Sequence, residues 1–318
     1  MATYKDIHGF KIQNVSSDPP APFNGQVWYN STSGALKAKA SIQVLAWATG
    51  NNLNTARGYL AGAGTQTSAL AFGGTPNSTL TEKYNGTNWT AVNTLNLGRS
   101  RIAGAGTQTA ALGFGGYNTP GADSETETWN GTNWTEVNDL NTARYGLSGC
   151  GASNTAALAF GGEVPSNTAA TESWNGSNWT EVNDLNTARM YMAGCGTNTA
   201  ALAFGGWAGR QSLTETWNGT NWTEVNNLNT ARYAPGGAGT NTAALAFGGD
   251  TPPVTGITEL WNGTNWTEVA DMTTARTHLA GAGIQTSALA FGGVPAPTGN
   301  TEEWSEGPSP AVVTITTS

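Results

Sequence analysis

The apolar residues of this chain fall in short runs of four or five, separated by glycine pairs and polar turns. Residues 140–179 show the pattern: L-N-T-A-R, a stretch of small residues, A-A-L-A-F-G-G, an irregular segment, T-E-S-W and N-G-S-N-W. Runs this short, bounded by turn signals, predict β-strands. The phenylalanine before the glycine pair recurs every 42 to 46 residues, at Phe72, Phe114, Phe160, Phe204, Phe247 and Phe291. A strand-rich repeat of this length is typical of the blades of a β-propeller.

Each repeat predicts four strands. The first is the small-residue stretch after the arginine, for example residues 60–64, and the second is A-A-L-A-F. The third ends in T-E-x-W or T-E-K-Y, and the fourth begins at N-W-T-E-V. The connection W-N-G-T-N-W, as at residues 129–134, contains Asn-Gly, the strongest short hairpin signal. Its Asn-x-Thr triplet also matches a glycosylation sequon, but we favour the turn because the N-terminus lacks the apolar core of a signal peptide.

The glycine pair after an apolar strand, followed by an aromatic residue and then by a tryptophan, resembles the kelch repeat over residues 41 to about 305. The resemblance implies four-stranded blades around a central axis, with aromatic side chains packed between blades. Small residues in the first strand fit the crowded axis of such a ring. We therefore predict an all-β fold: a six-bladed, kelch-like β-propeller over residues 41–318, preceded by a small N-terminal β-hairpin segment over residues 1–40.

Closure of the ring needs one more strand, because no N-W-T-E-V segment follows Trp304. Trp47 aligns with the tryptophans of the fourth strands, so its segment is the preferred outer strand of the sixth blade. The strand-forming tail at residues 311–317 is the alternative closing strand. If Trp47 closes the ring, we expect the tail to add an edge strand or an intersubunit contact.

The N-terminal segment does not share the repeat. A strand is predicted at residues 10–15, and a hairpin is predicted to turn at residues 31–34. The run G-Q-V-W-Y-N, followed by a turn and an L-K strand, resembles a short module of tailed-bacteriophage structural proteins of the tail-fibre type. The resemblance implies attachment to other virion proteins through residues 1–40. The alternative is a terminal hairpin that packs on the propeller.

Charge and composition narrow the expected partners. The net charge of −8 argues against nucleic acid, and no apolar run is long enough for membrane insertion. The two cysteines, Cys150 and Cys195, occupy the same repeat position in adjacent blades, where other repeats have alanine. We favour small buried thiols over a disulfide at this position.

Candidate recognition residues lie in the segments after the glycine pair, which differ in every repeat. Variable loops on a rigid scaffold often carry recognition, and exposed aromatic residues and arginine dominate binding hot spots. On this basis the candidates are Tyr117, Trp207 and Arg210. The alternative is that these side chains cap neighbouring blades.

A second candidate set contains one arginine per repeat, at Arg57, Arg99, Arg144, Arg189, Arg232 and Arg276. As a ring at the channel mouth, these side chains would suit an anionic glycan or a carboxylate. Each third strand also carries a glutamate, so a repeated structural ion pair is the favoured interpretation. Aromatic residues follow these arginines within two positions and suggest a sugar-compatible lining of the mouth: Tyr59, Tyr145, Tyr191, Tyr233 and His278.

Catalysis has little support, because the chain has only two histidines and no Cys or His cluster with metal-ligand spacing. We expect no enzymatic activity, no metal and no cofactor, although a pair of glycosidase carboxylates from distant blades remains open. The first functional hypothesis is a bacteriophage virion structural protein whose propeller recognises a host-surface glycan or protein. Such a protein is expected to be located in the virion as a homo-oligomer. The alternative is a bacterial kelch-type lectin or interaction scaffold.

Overall fold

The structure, a computed structural model, describes residues 12–22 and 25–315, without the side chains of residues 40–44 and 307–313. The described chain forms two compact units: residues up to Leu45 together with those from Glu306 onward, and Ala46–Ser305. The domain boundary that we predict after residue 40 lies inside the strand Ala35–Gly50. The observed division, between Leu45 and Ala46, falls in the same strand. None of the described residues forms a helix long and apolar enough to span a membrane.

The strands follow the predicted four-per-repeat pattern. Before the first complete blade come β1 (Gln13–Val15), β2 (Val27–Asn30) and β3 (Ala35–Gly50). The next three blades contain β4 (Ala61–Thr65), β5 (Ser68–Phe72), β6 (Thr81–Tyr84), β7 (Trp89–Val92), β8 (Ala103–Gly106), β9 (Ala111–Phe114), β10 (Tyr117–Asn118), β11 (Gly121–Ala122), β12 (Thr126–Trp129), β13 (Trp134–Val137), β14 (Ser148–Ser153), β15 (Ala156–Phe160), β16 (Thr171–Trp174) and β17 (Trp179–Val182). The last three contain β18 (Ala193–Gly196), β19 (Ala201–Phe204), β20 (Thr214–Trp217), β21 (Trp222–Val225), β22 (Gly236–Gly239), β23 (Ala244–Phe247), β24 (Thr258–Trp261), β25 (Trp266–Val269), β26 (Ala280–Ile284), β27 (Ser287–Phe291) and β28 (Thr301–Thr314).

Ala46–Ser305 forms a six-bladed all-β propeller, as predicted. Five blades are four-stranded sheets, each built from one continuous stretch of the chain; in one of them, β10 and β11 form a separate small hairpin between the second and third strands. The last four residues of the second strand are buried in each blade, as are residues 157–160 of β15. Neighbouring blades are joined by a phenylalanine that packs on the fourth-strand tryptophan of the next blade, as Phe114 packs on Trp179 with ring centroids 4.9 Å apart. These aromatic pairs fill the space between wedge-shaped sheets and stabilise the ring by burying large apolar surfaces.

The sixth blade is completed by the strand that contains Trp47, which confirms the preferred closure. The sheet order is β3, β28, β27, β26, so β3 lies next to the third strand of that blade. Trp47 packs on Phe247 with ring centroids 5.0 Å apart, and its Nε1 donates a hydrogen bond of 2.9 Å to Thr258 Oγ1. The other outer-strand tryptophans donate the same bond to the preceding blade, at Thr301, Thr81, Thr126, Thr171 and Thr214.

The predicted hairpin between the third and fourth strands is also confirmed. In β12–β13, Trp129 pairs with Trp134 across a four-residue loop. The Asn130 side-chain oxygen accepts hydrogen bonds from the amides of Thr132 and Asn133, at 2.9 and 2.8 Å, and Gly131 takes a φ of 93°. The sequence N-G-T-N therefore shapes this turn, because asparagine bonds the loop backbone and glycine adopts the left-handed conformation without strain.

Buried thiols are present at both cysteine positions. Cys150 and Cys195 are free and buried, as the sequence predicts. Burial raises the pKa of Cys150 to about 12, which keeps this thiol protonated and unreactive.

The first compact unit contains the predicted N-terminal hairpin. β2 and β3 pair antiparallel across the turn at residues 31–34, and β1 pairs parallel with β2. The Asp18 carboxylate accepts hydrogen bonds from Trp28, Asn30 and Lys37, and these partners lower its pKa to about 2. Of the strand predicted at residues 10–15, residues 13–15 are observed, while residues 10 and 11 lie outside the described residues.

The C-terminal tail continues the third strand of the sixth blade and does not close the ring. β28 extends to Thr314, and the Ile315 amide donates a hydrogen bond of 2.8 Å to the Leu36 carbonyl of β3. The tail therefore pairs with the N-terminal hairpin strand. Residues 316 and 317 of the predicted tail strand lie outside the described residues.

Candidate functional site

A closed ring of backbone hydrogen bonds surrounds one end of the propeller axis. In each blade, the residue two positions after the repeat arginine donates its amide to the carbonyl of the equivalent residue in the neighbouring blade, over 2.7 to 3.1 Å. All six residues have a positive φ between 50° and 62°. Five of the six are not glycine, and such residues rarely adopt a positive φ. The surrounding structure therefore holds the backbone in this conformation. We call this set the mouth ring; its members are Tyr59, Arg101, Gly146, Tyr191, Ala234 and His278.

The mouth ring encloses a cavity of about 160 Å³. Below the ring, the cavity is lined by the small residues that begin the first strand of each blade. A second cavity of about 110 Å³ continues along the same strands and shares their glycines, among them Gly62 and Gly104. The axis is therefore a narrow channel, and side-chain chemistry is concentrated at the mouth ring.

Aromatic side chains converge over this mouth. The ring centroid of His278 lies 4.0 Å from that of Tyr59 and 4.9 Å from that of Tyr191, and the two tyrosines are 6.3 Å apart. Gly146 makes room for Tyr191, because a Cβ atom on Gly146 would lie 2.9 Å from the tyrosine ring. The predicted aromatic lining is confirmed at these positions.

Arg101 is a cation enclosed by three tyrosines. Its guanidinium lies 5.5 Å from the ring centroid of Tyr59, 5.3 Å from that of Tyr117 and 5.2 Å from that of Tyr145. Within the described residues, this side chain has no carboxylate partner and no hydrogen bond. Tyr117, a predicted recognition residue, therefore belongs to the cluster around Arg101. Sequence reasoning missed Arg101 itself, although L-G-R-S-R breaks the regular N-T-A-R pattern and was the available signal.

The other two predicted recognition residues form a separate cluster with a neighbouring blade. Trp207 packs on Tyr233 with ring centroids 5.2 Å apart, and Arg210 lies 5.6 Å from the Trp207 centroid. Arg210 also forms an ion pair of 3.5 Å with Asp250, which accepts a hydrogen bond of 3.0 Å from the Tyr233 hydroxyl. Because the Arg210 side chain keeps 35% of its surface exposed, this cluster has a solvent-facing edge. The charge of Arg210 is already balanced by Asp250.

The six repeat arginines do not line the mouth, which corrects the channel-mouth placement. They are buried inside the blades, and each forms an ion pair of 2.5 to 3.1 Å with the third-strand glutamate of its repeat. At Arg99, further hydrogen bonds reach the carbonyls of Gly115 and Glu125. The repeated structural ion pair is therefore what the structure contains, and its members are Arg57, Arg99, Arg144, Arg189, Arg232 and Arg276.

Burial determines the protonation state of the titratable side chains at the mouth. It lowers the pKa of His278 to about 4, with a further contribution from the positive charge of Arg101, so this ring is neutral at pH 7. Burial likewise raises the pKa of Tyr191, and burial together with Asp250 raises that of Tyr233. The mouth ring therefore offers neutral aromatic surfaces, hydroxyl groups and the single cation Arg101.

This arrangement suits binding of a polar ligand with apolar faces. Stacked aromatic rings present flat surfaces, and tyrosine hydroxyls at their edges offer hydrogen bonds. The structure brings no three His, Cys, Asp or Glu side chains together as a metal site among residues 12–22 and 25–315.

Comparison with known proteins supports the fold. No protein-family model and no curated protein sequence matches the chain. The solved structure of YjhT, a kelch-like propeller, is similar with a TM-score of 0.66 and 13% sequence identity, over 84% of this chain and 97% of that one. At this identity the likeness concerns the fold alone. The likeness agrees with a β-propeller built from four-stranded antiparallel blades. It does not test the phage resemblance of the N-terminal segment, which stays a prediction.

Proposed function

We propose that this chain is a recognition protein of a bacteriophage virion whose channel mouth binds a host-surface glycan, without catalysis. The observation that carries the proposal is the convergence of aromatic side chains and Arg101 on the face with variable loops. Sugar rings have apolar C–H faces that stack on aromatic rings and hydroxyl edges that bond to polar groups. The opposite face carries repeated N-G-T-N turns whose polar groups are already bonded within the protein, as the Asn133 side-chain oxygen is by Asn93, which follows β7.

The attachment part of the proposal relies on the N-terminal segment. Its G-Q-V-W-Y-N run is the part that resembles virion structural proteins, and in it the Trp28 side chain is fully buried. Several copies on one particle would combine weak sugar contacts into strong adhesion, which favours a homo-oligomer. Detection of this chain by mass spectrometry in purified phage particles would support attachment, and a bacterial gene neighbourhood without phage genes would favour the alternative lectin.

We predict that replacing both Trp207 and Arg210 with alanine weakens glycan binding at least tenfold while the protein stays folded. Both side chains belong to a cluster with a solvent-facing edge that adjoins the mouth through Tyr233, whose ring lies 5.7 Å from that of His278. Large aromatic and guanidinium groups at such edges contribute most to binding. The measurement is binding to an array of bacterial surface glycans, with circular dichroism to verify folding.

The matched control is Thr132→Ala, an exposed substitution in a hairpin turn on the opposite face, which is expected to bind like the wild type. Wild-type binding by the double variant would remove this cluster from the proposal. Absence of wild-type binding to every glycan on the array would contradict the proposed function.

A further inference from the structure

We propose that Arg101 and the tyrosines around it form a subsite for the carboxylate of an acidic sugar. The inference rests on the proposed function and names its ligand class. It begins with the isolation of Arg101: within the described residues, no carboxylate and no hydrogen-bond acceptor pairs with this half-buried guanidinium. A cation taken partly out of water without a direct ion pair attracts an anion from solution.

The three tyrosines fix how this cation meets a ligand. Their ring centroids lie 5.2 to 5.5 Å from the guanidinium carbon, and they come from three successive blades. Aromatic rings interact with the guanidinium as a cation and do not consume its N–H donors. Arg101 is therefore held in place with its donors free, which is the state that binds a carboxylate in a bidentate manner at low entropic cost.

Among the described residues, none of the other charged groups near the mouth forms an ion pair with Arg101; the Glu163 carboxylate lies beside Tyr145, whose pKa burial and this carboxylate raise. Arg210 is paired with Asp250, and the repeat arginines are buried with their glutamates. His278 is neutral at pH 7 because burial lowers its pKa to about 4. The Tyr59 ring contacts both Arg101 and His278, so the guanidinium lies next to the aromatic rings of the mouth at which the proposed function places the sugar.

The test is calorimetric titration of the full chain with D-glucuronate, D-glucose and acetate at one fixed ionic strength. We expect glucuronate to bind at least tenfold more tightly than glucose, and acetate to bind more weakly than glucuronate. Arg101→Gln should remove the preference for glucuronate while retaining glucose binding. Arg101→Lys, which keeps the charge but loses the bidentate geometry, should show an intermediate preference.

Lys83→Gln is the matched control, since it removes one positive charge from a side chain that bonds to the Gly131 carbonyl in a hairpin turn away from the mouth, and it should retain the preference. Equal binding of glucuronate and glucose by the wild type would overturn the carboxylate subsite and leave the proposed function intact. Acetate binding as tight as that of glucuronate would overturn the assignment to an acidic sugar. Binding of neither sugar would overturn the carboxylate subsite, while the glycan array alone decides the proposed function.

Discussion

Glu127→Gln is expected to lower the free energy of unfolding by about 3–5 kcal/mol. The Glu127 side chain is fully buried and forms an ion pair of 2.9 Å with Arg99. Its other oxygen accepts hydrogen bonds of 2.8 and 2.9 Å from the amide and the side chain of Asn96. The substitution keeps the size of the side chain but leaves Arg99 as an uncompensated charge inside the blade. Urea unfolding measures the effect.

The control for this prediction is Glu136→Gln, because Glu136 lies opposite Glu127 in the same hairpin and is exposed. We expect a change within about 0.5 kcal/mol for this surface substitution. Equal effects of the two substitutions would show that the pair between Arg99 and Glu127 does not stabilise the blade. The comparison separates a buried ion pair from the general loss of one negative charge.

Trp47→Ala is expected to cost about 3–5 kcal/mol, as large-to-small changes of buried tryptophan do. Trp47 is 7% exposed, packs between Phe247 and Trp304, and bonds to Thr258 of the preceding blade. Its strand precedes the first complete blade in the chain but belongs to the last blade in space. Loss of this side chain therefore weakens the noncovalent closure of the propeller, which thermal and urea unfolding both report.

Trp134→Ala is the matched variant for Trp47, since Trp134 occupies the same position in a blade that is built from one continuous stretch of the chain. Similar costs for the two substitutions are expected if Trp47 is packed as well as its equivalent. A negligible effect of Trp47→Ala beside a large effect of Trp134→Ala would mean that another segment completes the sixth blade.

The blades were predictable because each of their features has a local cause in the sequence. Asn130 and Gly131 specify the hairpin turn, and the apolar run Ala156–Phe160 specifies a strand buried on both faces. Closure by Trp47 was also predictable, because its register matches that of the other outer-strand tryptophans. The pairing of the C-terminal tail with β3 depends on contacts between distant segments, which no local pattern encodes.

The mouth was only partly predictable. Its aromatic character followed from Tyr59, Tyr191 and His278, which stand close to the repeat arginines. For the repeat arginines the favoured ion pair was right and the placement at the mouth was wrong, because the position of a residue in the repeat does not say which side chain turns toward the axis. The residue two positions later turns inward through a left-handed backbone, and among its members only Gly146 carries the usual sequence signal for that conformation.

The exchange rate of the Tyr59 amide hydrogen tests the closed six-bladed ring most directly. This amide donates a hydrogen bond of 2.9 Å to the His278 carbonyl and so joins the first and last complete repeats. The ring predicts protection of the Tyr59 amide equal to that of Tyr191 and Ala234, whose partners lie in adjacent repeats of the chain. Rapid exchange at Tyr59 beside slow exchange at Tyr191 and Ala234 would contradict closure, and with it the enclosed mouth at which recognition is proposed.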